Sequence, residues 1–223
     1  MIKTFLAAML AAGSPQVAIE LDPEVGVSAT GEQITTYDYR LAEAVVGSLL
    51  GHGITAGIVS AGERQAGSRL AIRLNHHAIP GEWLKKGHGP AFYGFALGIG
   101  QSNPDGDTTI SCTRMVGTAL RQAGEVPSLY RSFKLPGLDQ PILDGALGIH
   151  FAKGDATLVG RTGAAMALEI GIVSHPDDAR RLSSPVVVAG LADAIAAGIT
   201  ECFDPTEEAA EDNEQFLDPE MFK

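Results

Sequence analysis

Two cysteines, one tryptophan and 16 basic residues are all that this 223-residue chain carries of those types. Each scarcity excludes something. Cys112 and Cys202 fall in no CxxC or Cys/His spacing, so a structural zinc site of the finger or ribbon kind is excluded. Cysteines so far apart are expected as two buried thiols, with one disulfide as the alternative. The basic residues face 27 acids, a net charge of −11, and no basic face of the kind that holds nucleic acid is legible. There is no GxxxxGK-Ser/Thr, no GxGxxG between a strand and a helix, and no GxSxG. Phosphate-cradling loops and the nucleophile elbow are thereby removed. No apolar run approaches the ~20 residues needed to span a bilayer, so no transmembrane span is expected.

What the chain does carry is acid, and most of it sits at one end. From Glu201 onward nine acids stand against Lys223, a balance of −8, which leaves 18 acids against 15 bases, or −3, for everything before. Residues 204–223 are expected as an acidic, flexible tail, and the pairs Phe216-Leu217 and Met221-Phe222 suit a segment that orders on a partner. The opening MIKTFLAAMLAAGSP has one lysine, an apolar stretch and then small residues. Residues 1–15 therefore read either as a secretory signal or as an N-terminal helix packed on the domain. Residues 16–203 are long enough to form one domain with a sizeable core.

Within that domain, strands are expected at residues 16–21, 54–61 and 91–99, where apolar and β-branched residues run together between turn signals. Residues 36–50 are expected to be helical, because Tyr37, Leu41, Ala44, Val45 and Leu49 recur at helical spacing and Gly51 and Gly53 stop them. Residues 68–77 are read as a second helix, on which the adjacent His76 and His77 cannot face one point. Residues 82–89 read as a polar connector, 111–124 as a helix capped by Ser111, and 146–151 as a short strand in a stretch broken by proline and glycine. Asp105 and Asp107 are expected in a solvated turn, and residues 186–203 as a strong apolar helix.

The organising stretch is AAMALEIGIVSHPDDARRL, residues 164–182. It reads as a buried strand that presents one acid, Glu169, then breaks at His175-Pro176 and restarts as a helix capped by Asp177 or Asp178. Ligands of open α/β sheets gather at the carboxyl ends of strands, which makes Glu169 the leading catalytic candidate. Alternating strands and helices predict an α/β three-layer sandwich: a mixed, mostly parallel sheet with helices on both faces.

The run Leu168-Glu169-Ile170-Gly171-Ile172-Val173-Ser174-His175-Pro176-Asp177-Asp178 and the helix after it carry a resemblance, supported by Asp22-Pro23 after the first strand, the helix ending at Gly53, and Arg73 with Asn75. Over residues 17–203 this order resembles the zinc-dependent N-acetylmuramoyl-L-alanine amidases of peptidoglycan turnover. The resemblance implies an amidase-like fold in which two histidines and a glutamate hold zinc and leave a position open for water. The metal acidifies that water and polarises the amide carbonyl, while the final glutamate, here Glu169, handles the proton.

The same resemblance fixes where the ligands should stand, and there the chain departs from it. The histidine of Asp-Pro-Gly-His falls on Val25 in Asp22-Pro23-Glu24-Val25, and the glutamate that opens the first helix falls on Thr36, with Glu32 four residues earlier. The second histidine, from a Ser-Ile-His-Ala-Asn motif at the end of the third strand, falls on Gly100, and His175 stands where asparagine is usual. Valine and glycine offer zinc no donor, so no metal ligand and no cofactor are expected. Function follows the site rather than the fold. The expectation is a degenerate, non-catalytic relative with Glu169 vestigial, whose old cleft (Glu24, Gly100, Gln101 and His175) binds a peptidoglycan fragment or a protein partner, or which serves as a structural component of an oligomer or larger assembly. The alternative is an active amidase with relocated zinc ligands, His150 and His175 being the first suspects and His52, His76, His77 and His88 structural or solvated. The implied location is periplasmic, extracytoplasmic or virion-associated.

Overall fold

The computed structural model describes residues 14–21, 26–60, 67–79, 81–87, 92–100, 103, 105–134, 140–152, 158 and 163–204. Within them the chain runs β1 (Val17–Leu21), α1 (Ile34–Gly51), β2 (Ala56–Ser60), β3 (Leu70–His77), α2 (Gly81–Lys85), β4 (Phe95–Ile99) and α3 (Gly106–Gln122). A 3-10 turn (Tyr130–Ser132), β5 (Ile142–Asp144), β6 (Ile149–Phe151), β7 (Ala164–Ile172), α4 (Pro176–Leu182) and α5 (Pro185–Phe203) follow. The seven strands make one sheet in the order β2-β1-β3-β7-β4-β6-β5. β2, β1, β3 and β7 are parallel neighbours; β4 runs antiparallel to β7 and parallel to β6, and β5 pairs antiparallel with β6. This is the mixed, mostly parallel α/β sheet expected.

Strand alternation divides the side chains between two faces. Val17, Ile19 and Leu21 of β1, Leu70, Ile72 and Leu74 of β3, and Met166, Leu168 and Ile170 of β7 enter one core with α1, α3 and α5. α5 packs against both α1 and α3. Its 19 residues are long and apolar enough by composition to cross a membrane, which corrects the expectation that no such run exists. Here Leu191, Ala192, Ile195, Ala196 and Ile199 are buried in the core. Cys112 of α3 and Cys202 of α5 form a disulfide across 90 residues, so the expectation of two free thiols is also corrected. One turn along, Gly198 meets the backbone of Val116 so closely that a Cβ there would lie 2.6 Å from the Val116 Cα.

The other face is small and polar. Ala71, Ala152, Leu158, Ala165 and Ala167 form one cluster on it, and Ile79, Trp83, Phe92, Ala96, Tyr130 and Ile172 form another. Trp83 anchors the second cluster from α2, so the supposed polar connector is a short helix with a buried face. The long helices thus cover one side of the sheet, while α2 and the Tyr130–Ser132 turn lie on the other.

The largest correction concerns residues 68–77, expected as a helix and found as β3. Leu70, Ile72 and Leu74 are spaced by two, which is the strand period; on a helix they would not share a face. α3 begins at Gly106 rather than Ser111, so Ser111 is no cap and Asp107 belongs to the first helical turn. Residues 1–13 and 205–223 lie outside the described residues, and so do the readings of a signal and an acidic tail.

Candidate functional site

Glu169 lies inside β7, three residues before its end, and is buried. The expectation of an acid at the strand terminus is corrected on that point. Its lateral neighbours are Asn75 of β3 and Ala96 of β4. Because Ala96 is small, the Tyr130–Ser132 turn can lay its side chains over the carboxylate. The preceding segment is pinned alongside β4: Phe95 N–H donates to Val126 O (2.9 Å) and Ser128 N–H to Phe95 O (2.6 Å). On the far side of the turn Gln140 N–H donates to Arg131 O (2.8 Å).

Arg131 meets Glu169 as a two-pronged fork, Nε donating to Oε2 at 3.0 Å and Nη2 to Oε1, while the Tyr130 hydroxyl also donates to Oε2. Such matched forks are the stronger kind of charged hydrogen bond. Burial by itself raises the Glu169 pKa, but the charge and hydrogen bonds of Arg131, then His77 and Tyr130, outweigh it and hold the carboxyl at about 2. On Arg131 burial works against the charge, and Glu169 and Tyr130 more than offset it. The Tyr130 ring stacks on His77, with centroids 5.4 Å apart, and meets Phe92 edge-on at 6.0 Å.

His150, on β6, has its pKa lowered chiefly by burial. Its Nε2 lies 3.3 Å from Ser128 O, the geometry of a donated N–H, and among the described residues neither its Nδ1 nor the buried Oδ1 of Asn75 has a hydrogen-bond partner. Beside the ion pair lies a cavity of about 40 Å³ lined by Arg73, Gly98, Arg131, Gln140, Ala167 and Glu169. A separate pocket of about 480 Å³ lies between Tyr93, Glu125, Val126, Arg181, Val186 and Leu191.

Other expected site residues are dispersed. His175 caps α4, its Nδ1 accepting from Asp177 N–H at 3.2 Å, with its ring 6.2 Å from that of Tyr93. The expected aspartate cap is thus corrected. Asp178 turns inward, and its Oδ2 accepts from Gly94 N–H and Ile172 N–H, both at 3.0 Å. Gly100 is not beside Glu169. Antiparallel pairing sets Ile99 opposite Met166, so Gly100 lies toward the start of β7, packed against Leu158. The comparison that placed Gly100 at the end of a third strand fails because residues 70–77 are themselves the third strand. Glu24, Val25, His88 and Gln101 lie outside the described residues.

Glu32 pairs with Arg40 and accepts from Ser183 Oγ at 3.1 Å; burial raises its pKa, and Arg40, Tyr37 and Ser183 together outweigh that and bring it below its ordinary value. His76 and His77 do point apart, through strand rather than helical alternation. His76 is buried against Asp38 of α1, whose Oδ1 accepts from its backbone N–H at 2.7 Å and lies 2.9 Å from its Nδ1. His150 and His175 do not join Glu169 as a ligand set: among the described residues no three of His, Cys, Asp and Glu come together to hold a metal ion. On that ground the described residues by themselves supply no zinc-ligand set. Sequence reasoning missed Tyr130 and Arg131, which sit in its least readable stretch, and no local motif marks them.

No family model and no curated protein matches this chain. Solved structures do. The N-acetylmuramyl-L-alanine amidase Ami1 of Mycobacterium smegmatis superposes with a TM-score of 0.63 at 13% identity, covering 87% of this chain and 100% of that one. The N-acetylmuramoyl-L-alanine amidase of Clostridium difficile 630 gives 0.61 at 11% identity, covering 87% and 100%. The CwlD amidase of Clostridioides difficile, solved in complex with the GerS lipoprotein, gives 0.58 at 9% identity, covering 85% and 99%. At these identities the likeness defines the fold, and the fold is that of the N-acetylmuramoyl-L-alanine amidases.

Proposed function

We propose that this protein is a degenerate, non-catalytic relative of the peptidoglycan amidases that acts by binding a cell-wall glycopeptide or a protein partner. The observation that carries the reading is the engagement of Glu169 by Arg131 and Tyr130. A general base works best with an oxygen free to take the proton and a pKa near the working pH. Glu169, held at about 2 with both oxygens occupied, meets neither condition.

The ligand positions support the same reading. Val25 and Thr36 stand where the resemblance requires histidine and glutamate. With β3 as the third strand, matching Ser-Ile-His-Ala-Asn to Arg73-Leu74-Asn75-His76-His77 puts a carboxamide, Asn75, where the second histidine belongs. His77, two residues on, is the imidazole that lowers the Glu169 pKa, and among the described residues it joins no three-ligand group of His, Cys, Asp and Glu that could hold zinc. Partner binding has a precedent on this fold in the complex of CwlD with a lipoprotein.

The test is elemental analysis of the full chain, purified near neutral pH without chelator, beside a muropeptide amide-hydrolysis assay. The expected result is no stoichiometric zinc, even after zinc is added back, and no hydrolysis. About one zinc per chain, with hydrolysis abolished in Glu169→Gln, would establish the active amidase instead.

A further inference from the structure

We infer that Arg131 is the resident cation of the Glu169 site, and that the Tyr130–Ser132 turn is a built-in plug filling the space a metal and a substrate would share. The inference rests on the amidase-fold reading of Glu169 and goes further by naming what occupies the site. Three donors from one turn reach the two oxygens of Glu169, and the guanidinium is itself largely buried, its side chain 18% exposed. The cavity that the described residues leave beside the pair is about 40 Å³, close to the ~30 Å³ share of a single water and far below the ~300–1,000 Å³ of ligand pockets. The turn is anchored on both sides by backbone bonds to Phe95 and Gln140, so the plug belongs to the fold rather than to one side-chain rotamer.

Among the described residues, the charged and titratable groups around Glu169 are Arg131 and Tyr130 from the turn, His77 and Arg73 from β3, and His150 from β6. Arg131 supplies the largest favourable influence among them. With Arg131 present, Glu169 titrates in the folded protein below its unfolded value. Its stabilisation is then complete above the ordinary carboxylate range, ~4–5, and is lost as pH falls toward 2. Without Arg131, burial dominates and the folded carboxyl titrates above its unfolded value. Stability from this group is then present at low pH and is lost as pH rises. Removing one guanidinium should therefore invert the sign of a pH dependence.

The experiment is urea unfolding of the full chain from pH 3 to 8 for wild type, Arg131→Ala, Arg131→Lys and the double variant Arg131→Ala/Glu169→Gln, each with a parallel zinc titration. The wild-type midpoint should rise from pH 3 to 5 and then level. The Arg131→Ala midpoint, compared with that of the double variant, should fall from pH 5 to 7, and Arg131→Lys should restore the wild-type sign at a lower midpoint. Should Arg131→Ala not fold at neutral pH, it should be recovered near pH 4 or by the added Glu169→Gln change; no recovery by either route overturns the inference. So does an Arg131→Ala profile that keeps the wild-type sign. Zinc bound by wild type together with amide hydrolysis overturns the non-catalytic reading, whereas a missing inversion with no zinc bound overturns the resident cation alone.

Discussion

Removing the Cys112–Cys202 cross-link has a calculable effect. The two cysteines are 90 residues apart, and the double change Cys112→Ala/Cys202→Ala releases that loop in the unfolded chain. In the chain-entropy account a loop of this length is worth about 4.6 kcal/mol at 25 °C. For a chain of this size each kcal/mol moves Tm by about 2–4 °C, so the variant should melt about 10–15 °C lower. Cys112 is fully buried, and loss of its sulfur adds a small cavity cost on top. Wild type reduced under denaturing conditions, refolded and kept reduced separates the two contributions: it lacks the cross-link and keeps both sulfurs. Calorimetry and urea unfolding of the three forms are the assay, and the two uncrosslinked forms should show steeper denaturant dependence as well as lower midpoints. The reasoning is refuted if reduced wild type unfolds at the same temperature and urea concentration as the oxidised protein.

Two glycines on α5 should respond oppositely to alanine. Gly190→Ala meets nothing within 4 Å and should stabilise by about 0.5–1 kcal/mol through helix propensity, whereas Gly198→Ala sets a Cβ 2.6–2.8 Å from the Val116 backbone and should destabilise by about 1–3 kcal/mol, as urea midpoints will report. Asp178→Ala strands the buried N–H groups of Gly94 and Ile172 and should cost about 3 kcal/mol, while Asp178→Asn, which retains one carbonyl oxygen for both donors, should recover more than half in the same assay.

Periodicity and punctuation alone determined much of this molecule. The β1, α1, β2 and α5 segments are legible because each is a local pattern: a short apolar run between turns, or a stripe at helical spacing closed by glycine. Glu169 is legible for the same reason, as one acid in an otherwise apolar strand. β3 was misread because its second face is polar. Arg73, Asn75 and His77 point toward the site, and their polarity disguises the period-two spacing of Leu70, Ile72 and Leu74.

What local pattern could not reach is every relation between distant residues. Arg131 meets Glu169 across 38 positions, Asp178 meets Gly94 across 84, and Cys112 meets Cys202 across 90. Whether an acid in a strand is a free base or half of a buried ion pair depends on which side chain the sheet order brings over it. That order places β4 antiparallel beside β7, with the Tyr130–Ser132 turn pinned to its start. The sequence by itself therefore determined the elements and singled out the acid. Only tertiary structure decided that a guanidinium sits on it, because Coulomb attraction and burial depend on distance in space and not along the chain.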